Sequence, residues 1–400
     1  MLDSDDFALS RRAAGEPALQ GVQPKAGLVP SGAVWWSMQA ICLWLPFDVR
    51  HGQEGLPQEP SNAQVWITRV GPPEVLELRE ASDPTPGPGQ VRIRVHAIGI
   101  NFADIMARLG LYPDAPKLPA VIGYEVAGDI DAVGSGVQRA PGEKVLALTR
   151  FGGYSDVVCV HEGQAIPLPP GMSYEEGAAV PVNYLTAYQI LVQMGSLKRG
   201  ERVLIHSAAG GVGLAAVDLC NICGADIFGT ASASKHSMLR ERGVRHTIDY
   251  RTQDYEAEVK RLTGGRGVHI VLDAMGGEHW KKGYRCLAPT GRLVMFGLSS
   301  AATGKSRSLL SVARTLLRTP LFSFPPPKLI NDNKALIGVN LGHLWDETEM
   351  LLGWMRQIVA WYREGTIHPT VGARFPLADA TAAHHYIQDR KNIGKVVLVA

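Results

Sequence analysis

The sequence predicts an α/β protein in which a β-rich region precedes a doubly wound parallel sheet. Three observations predict it. Strict apolar alternation runs through Val91-Arg92-Ile93-Arg94-Val95-His96-Ala97, the pattern of a half-buried strand. After residue 185, short apolar strands alternate with helical patterns, as parallel strands joined by crossovers require. Between the first of those strands and its helix lies a glycine-rich turn, Ser207-Ala208-Ala209-Gly210-Gly211-Val212-Gly213.

Composition sets outer bounds. The 400 residues suffice for about two domains, and 46% hydrophobic with 20% charged residues is ordinary for a soluble globular chain. A net charge of +2 without a dense Lys/Arg stripe argues against nucleic acid as a partner. Five cysteines, an odd number, do not read as a disulfide framework and point to a reducing, cytoplasmic setting. The nearest approach to a membrane span, Ala33 to Phe47, is interrupted by Ser37, Gln39 and Pro46 and lacks signal-peptide flanks. Residues 1–62 show no sustained period and read as a poorly ordered extension, or as the product of a start placed ahead of Met38. A docking segment using Trp35, Trp36, Leu43 and Trp44 is the competing reading.

The elements follow in order. Val65 to Thr68 before Gly71-Pro72-Pro73 reads as an opening hairpin. The Pro/Gly loop 84–89 feeds the alternating strand, and further strands fall around Val121–Val133, Lys144–Leu148 and Tyr154–Val160. These make residues 63–186 a compact β-rich domain. Residues 187–327 carry the strands Val203–His206, Ala225–Thr230, Val268–Leu272 and Arg292–Phe296. A helix spans Val212 to Cys220, and Tyr255, Val259 and Leu262 mark one face of another, ended by Gly264. Residues 328–400 bring a helix with Leu351, Trp354, Ile358 and Trp361 on one face, stopped by Gly365, and a terminal strand Lys395–Val399.

The turn at 207–213 points to a dinucleotide. Gly210 lets the backbone approach a pyrophosphate, Gly213 permits close helix–strand packing, and Gly211 and Val212 open a helix whose N–H groups are free. Ala208 stands where the fingerprint has its first glycine. At the end of the next strand, Gly229-Thr230-Ala231-Ser232-Ala233-Ser234-Lys235-His236 contains no acid. A carboxylate there would hold the 2′-hydroxyl of NAD; hydroxyls and the Lys235 cation suit a 2′-phosphate, hence NADPH. A helix cap by Ser232 or Ser234 beside a solvated Lys235 is the competing reading. Cys220-x-x-Cys223 lacks a second ligand pair and falls on the helix after the turn, so packing is its expected role.

Asn101-Phe102-Ala103-Asp104-Ile105-Met106-Ala107-Arg108-Leu109-Gly110-Leu111-Tyr112 resembles the signature of the zinc-free quinone oxidoreductase (zeta-crystallin-like) branch of the medium-chain dehydrogenase/reductase superfamily. Residues 181–188, 229–236 and Ile248-Asp249-Tyr250-Arg251-Thr252 are similar to the vesicle amine transport protein homologues within it, as is the ending from Lys391 to Leu398. The likeness runs from about residue 63 to the carboxyl terminus. It implies a GroES-like catalytic domain interrupted by an NADP-binding Rossmann domain, and a homodimer. It also implies that Asn183 and Thr186 lie near the nicotinamide ribose and Tyr250 near the adenosine phosphate, with Phe296, Gly297 and Asn392 bordering the nicotinamide. Zinc-dependent relatives carry Cys where Asn101 stands and His where Tyr124 stands; neither Asn nor Tyr is an ordinary zinc ligand, so no metal is expected. His384 and His385, adjacent on a helix, point apart.

Without zinc, the chemistry left is hydride transfer from NADPH to an acceptor already electron-poor, a quinone or an α,β-unsaturated carbonyl. Tyr112 and Asn101 are the expected pocket donors or orienting groups. A half-buried wall residue and a turn-stabilising side chain are the respective competing readings. Asp104 and Arg108, spaced i, i+4, suggest a local helix ion pair. The basic segment Lys305 to Pro327 reads as a helix flanking the cleft or a dimer contact, with a membrane-surface helix as the competing reading. A nucleotide-binding regulatory or membrane-associated protein with little turnover is the alternative function. No Gly-x-Ser-x-Gly elbow or paired-cysteine constellation supports hydrolase or thiol chemistry.

Overall fold

The structure is a computed structural model that describes residues 61–302 and 324–400. Expectations for residues 1–60 and 305–323, including the extension and most of the basic segment, lie outside the described residues.

The opening hairpin forms as its turn residues dictate. Strand Ser61–Ile67 pairs antiparallel with Leu76–Ser82, Ser61 opposite Ser82, across a 3₁₀ turn at Pro73–Val75. In strand Gln90–Ile100 the alternation is realised, with Val91, Ile93 and Val95 buried and the residues between them half-exposed. That strand is the hub of the β-rich domain. It pairs with Glu125–Val133, Val157–His161 and, antiparallel, the terminal strand Lys395–Val399. The chain therefore leaves this domain and returns to it at its end.

Between departure and return lies a six-stranded parallel sheet. Its spatial order is His246–Asp249, Asp226–Ala231, Arg202–Ile205, Val268–Asp273, Leu287–Met295, Ala335–Gly338. This is the 3-2-1-4-5-6 order of a dinucleotide-binding sheet, with its switch point beside the first strand, Arg202–Ile205. The last strand lies past the expected domain boundary at residue 327. It is a short edge strand, at best half-buried, and a four-residue run with no buried core position carries no legible period.

The helices follow their caps. Asp254 caps Tyr255–Leu262 by accepting from the N–H groups of Glu256 and Ala257. Thr348–Arg363 buries Leu351, Trp354 and Ile358 and ends at Gly365, whose φ of 68° needs no Cβ. Trp354 stacks on Tyr188 with ring centroids 5.5 Å apart, tying the returning segment to the helix Pro181–Tyr188. Cys220 is fully buried in the main apolar cluster. Among the described residues no helix is long and apolar enough to cross a membrane.

Candidate active site

A cleft of about 1530 Å³ runs from the carboxyl ends of the parallel strands to the β-rich domain. Pockets for a single drug-sized ligand are about 300–1,000 Å³, so this one has room for a dinucleotide and a second molecule. It is lined by Asn101, Tyr112, Asn183, Thr186, Gly210, Gly211, Val212, Gly213, Ser232, Lys235, Tyr250, Phe296, Gly297 and Asn392. Ala208 alone among the expected residues does not line it. Its side chain is buried against the neighbouring strand, where a Cβ at Gly229 would come within 2.9 Å of it.

The glycine turn is built by close approach. A Cβ at position 213 would stand 2.4 Å from the Ser207 carbonyl oxygen and 2.6 Å from that of Ala208, so only glycine lets the helix Gly211–Cys223 start there. A Cβ at position 211 would stand 2.6 Å from the Asn183 amide. Asn183 is thus locked by packing as well as by its bond to the Ala179 carbonyl (3.0 Å). The first N–H groups of the helix have no intrahelical acceptor and lie at its positive dipole end, a fit for a pyrophosphate. The returning segment crosses here, Gly394 N–H donating to the Ala209 carbonyl at 2.8 Å.

At the end of the second strand no acid intrudes. Ser232 is buried, its hydroxyl 3.3 Å from that of Ser234. Lys235 is half-buried rather than free in solvent: its ammonium donates to the carbonyls of Arg390 (3.0 Å) and Asn392 (2.6 Å), and burial lowers its pKa. Tyr250 faces the same space with the guanidiniums of Arg251 and Arg390 6.0 and 5.8 Å from its ring centre. Burial raises the Tyr250 pKa, but hydrogen bonds from the two arginines outweigh it and leave the phenol below its ordinary value. Arg390 went unread in the sequence. It sits at φ 57° just after the helix Ala380–Gln388, some 155 residues from Lys235, and no local pattern marks it.

The opposite end of the cleft is organised by three adjacent strands. Asn101 follows Gln90–Ile100, Glu125 opens Glu125–Val133, and Lys395 opens the terminal strand, so all three meet at one end of the sheet. Lys395 forms a buried ion pair with Glu125 and donates to Asn101 Oδ1 at 2.6 Å. Asn101 Nδ2 donates to Glu125 Oε1 (2.9 Å) and to the Gly99 carbonyl (3.3 Å). Both ends of the Asn101 amide are therefore taken by protein. Tyr112 is half-buried in the cleft wall, its ring edge-on to Tyr124 at 6.2 Å. In the sequence Lys395 heads an otherwise apolar strand within the family-like ending Lys391 to Leu398, and no local signal names its partners.

Beneath this cluster lies a second buried network. Asp104 Oδ2 accepts from Asn101 N–H (2.7 Å) and from the Tyr154 hydroxyl (3.3 Å), which lies 3.0 Å from Nε2 of His384. The expected Asp104–Arg108 ion pair does not form. Both side chains are buried, and Arg108 turns instead to the Gly71 carbonyl and the Gln388 amide oxygen, because tertiary acceptors reach it in place of the i, i+4 partner on its own helix. His384 packs on Tyr154 while His385 reaches Glu74, pointing apart as adjacent helical residues must.

Burial pushes the Asp104 carboxyl up to about 7, with the Asn101 N–H and Lys395 opposing. Its folded pKa thus exceeds the unfolded value of about 3.9. The folded state keeps a proton the unfolded chain has lost, so stability falls as pH rises from about 4 to about 7. Asp104→Asn is expected to gain on the wild type across that window, by an amount on the order of a few kcal/mol that stays constant above it. Unfolding temperatures measured at pH values across the window check this. A gap that does not change with pH refutes it.

Residues 87–170 match the family model described as alcohol dehydrogenase GroES-like domain, and residues 211–357 the one described as zinc-binding dehydrogenase. The chain is 44% identical over 326 residues to the synaptic vesicle membrane protein VAT-1 homolog of Homo sapiens, covering 81% of this chain and 82% of that protein. It belongs to the medium-chain dehydrogenase/reductase family. A quinone oxidoreductase of Pseudomonas aeruginosa is 36% identical over 340 residues, 84% of this chain and 99% of its own. Among solved structures, the Escherichia coli quinone oxidoreductase complexed with NADPH superimposes with a TM-score of 0.75 at 30% identity, covering 84% of this chain and all of that one. The CurK enoyl reductase gives 0.71, also at 30% identity, over 84% and 99%. The zeta-crystallin-like branch expected from the motifs agrees with these relatives, and the family is one of oxidoreductases.

The zinc named in the second family description does not fit this medium-chain dehydrogenase/reductase. Where a metal centre would need thiolate or imidazole donors, the chain offers an amide, a phenol and a carboxylate already paired with the Lys395 ammonium. Among the described residues no three His, Cys, Asp or Glu side chains converge to hold an ion.

Proposed function

We propose that the protein is a zinc-independent reductase that takes hydride from NADPH to a quinone or an α,β-unsaturated carbonyl. The observation that carries this reading is the acid-free, basic end of the groove. Ser232, Lys235, Tyr250 and Arg390 surround a space suited to a 2′-phosphate, with the glycine turn beside it for the pyrophosphate.

Along the groove, Asn183 and Thr186 face the space for the nicotinamide ribose and Phe296 and Gly297 border the ring, whereas Asn392, expected beside the nicotinamide, has its carbonyl on the Lys235 ammonium and lies toward the 2′-phosphate end. Bound there, NADPH supplies the hydride. The protein's part is position, dryness and hydrogen-bond donors near the acceptor. Tyr112 is assigned as a pocket donor. Asn101, its amide held between Lys395 and Glu125, is assigned an orienting role in the pocket floor.

The test is NADPH oxidation against benzoquinone, phenanthrenequinone, 2-alkenals and crotonyl-CoA. Turnover with one or more of them supports the reading. Tight NADPH binding with no turnover favours a regulatory nucleotide-binding role, a reading to which the vesicle-membrane names of several relatives lend weight.

A further inference from the structure

Tyr124 stands at the acceptor end of the cleft and is firmly held. Its ring lies edge-on to Tyr112 and 5.3 Å from Phe151, and its carbonyl accepts from Thr149 N–H at 2.7 Å. Gly123 before it, at φ 107°, brings the backbone so close to Tyr154 that a Cβ would stand 2.7 Å from that ring. The residue is 6% exposed, and its hydroxyl is buried without a hydrogen-bond partner. Buried phenols ordinarily find one, so an orphaned hydroxyl in the wall of a cleft calls for a ligand. Tyr112 comes nearest to pairing with it: the contact between the two phenols bears on both their pKa values, yet it falls short of full hydrogen-bond geometry and leaves the Tyr124 hydroxyl open to a better acceptor. Asn101, the other polar group at this end, has no free amide hydrogen.

We propose that the Tyr124 hydroxyl is a catalytic hydrogen-bond donor to the oxygen of the acceptor, working beside Tyr112. The assignment rests on the reductase reading for its substrate class. When hydride reaches the β-carbon of an enone, the π electrons move to the carbonyl oxygen and leave an enolate; with a quinone they leave a phenolate. Tyr124 O–H stabilises that oxygen without being consumed, and water delivers the proton that completes the reduction. The division of labour follows from the phenol's surroundings. Burial, and then the Asp104 carboxylate, holds its pKa well above the ordinary range, so it keeps its proton and donates a hydrogen bond.

Tyr124→Phe removes a hydroxyl that bonds to no protein atom, so the fold and the NADPH affinity are expected to stay at wild-type values. Turnover of quinone or enone is expected to fall by roughly 100-fold, the usual loss for one oxyanion donor. The deciding measurement needs no turnover. 4-Nitrophenolate, a ready-made phenolate oxygen, is titrated into NADP⁺-loaded protein and followed by its visible absorbance. Wild type is expected to bind it at least ~10-fold more tightly than Tyr124→Phe. Equal affinities, or no phenolate binding by wild type, overturn the assignment. Phenolate binding that depends on Tyr124 in a protein that reduces no acceptor leaves Tyr124 as an oxyanion-binding donor but overturns its catalytic role together with the reductase reading.

Discussion

Replacing Lys395 with methionine is expected to destabilise the protein by about 3–5 kcal/mol, the largest effect of any single change in the cleft floor. The stem is roughly conserved in length, so the loss is electrostatic. Lys395 is 2% exposed and Glu125 fully buried, and removing the ammonium strands a carboxylate in a dry site. Asn101 then loses the donor to its Oδ1 as well. The remedy is informative. Pairing Lys395→Met with Glu125→Gln leaves an oxygen to accept the Val182 N–H, which now donates to Glu125 Oε2 at 2.8 Å, and removes the unpaired charge. The double variant is expected to recover most of the lost stability, because deleting both members of a buried pair is far milder than deleting one. Urea unfolding of the four proteins gives the cycle directly. Additive losses would falsify the view that the two charges exist for each other.

Lys235→Glu tests the coenzyme assignment with a comparably large effect. A charge-assisted hydrogen bond contributes about 1.5–3 kcal/mol, and reversing the charge adds repulsion from the 2′-phosphate. NADPH affinity is expected to fall by at least ~100-fold, while NADH, which lacks that phosphate, loses less than about 5-fold. Some loss for both is built in. The ammonium also holds the carbonyls of Arg390 and Asn392 in the segment between the helix Ala380–Gln388 and the terminal strand. Fluorescence titration with each coenzyme separates the two contributions. Losses of equal size refute the phosphate assignment and leave Lys235 as a loop clamp alone.

The legibility of the site followed how local each feature is. The turn 207–213 is readable because Gly210 and Gly213 answer to carbonyls within a few residues of themselves, Gly213 to those of Ser207 and Ala208, although Gly211 answers to the distant Asn183. The acid-free stretch after Thr230 was readable for the same reason: it concerns one strand end. Ala208 was assigned to the cofactor by its place in the fingerprint, but its side chain turns into the sheet, which the neighbouring strand decides. Arg108 was assigned to a partner four residues away, yet its acceptors come from residues 71 and 388. Arg390 carries no local pattern and Lys395 only its place at the head of an apolar run, since each acts on residues more than 130 positions distant.

The sequence alone determined the alternation of strands and helices, the place of the dinucleotide turn, and the lack of a carboxylate at the second strand's end. Periodicity and turn chemistry act over a few residues, and those patterns survive in one dimension. Tertiary structure decided that Lys395, Asn101 and Glu125 share one end of a sheet, that Tyr124 keeps an unpaired hydroxyl, and that the parallel sheet extends to Gly338. Strand pairing between distant segments sets which side chains meet, and burial then sets how strongly their charges and hydrogen bonds are felt.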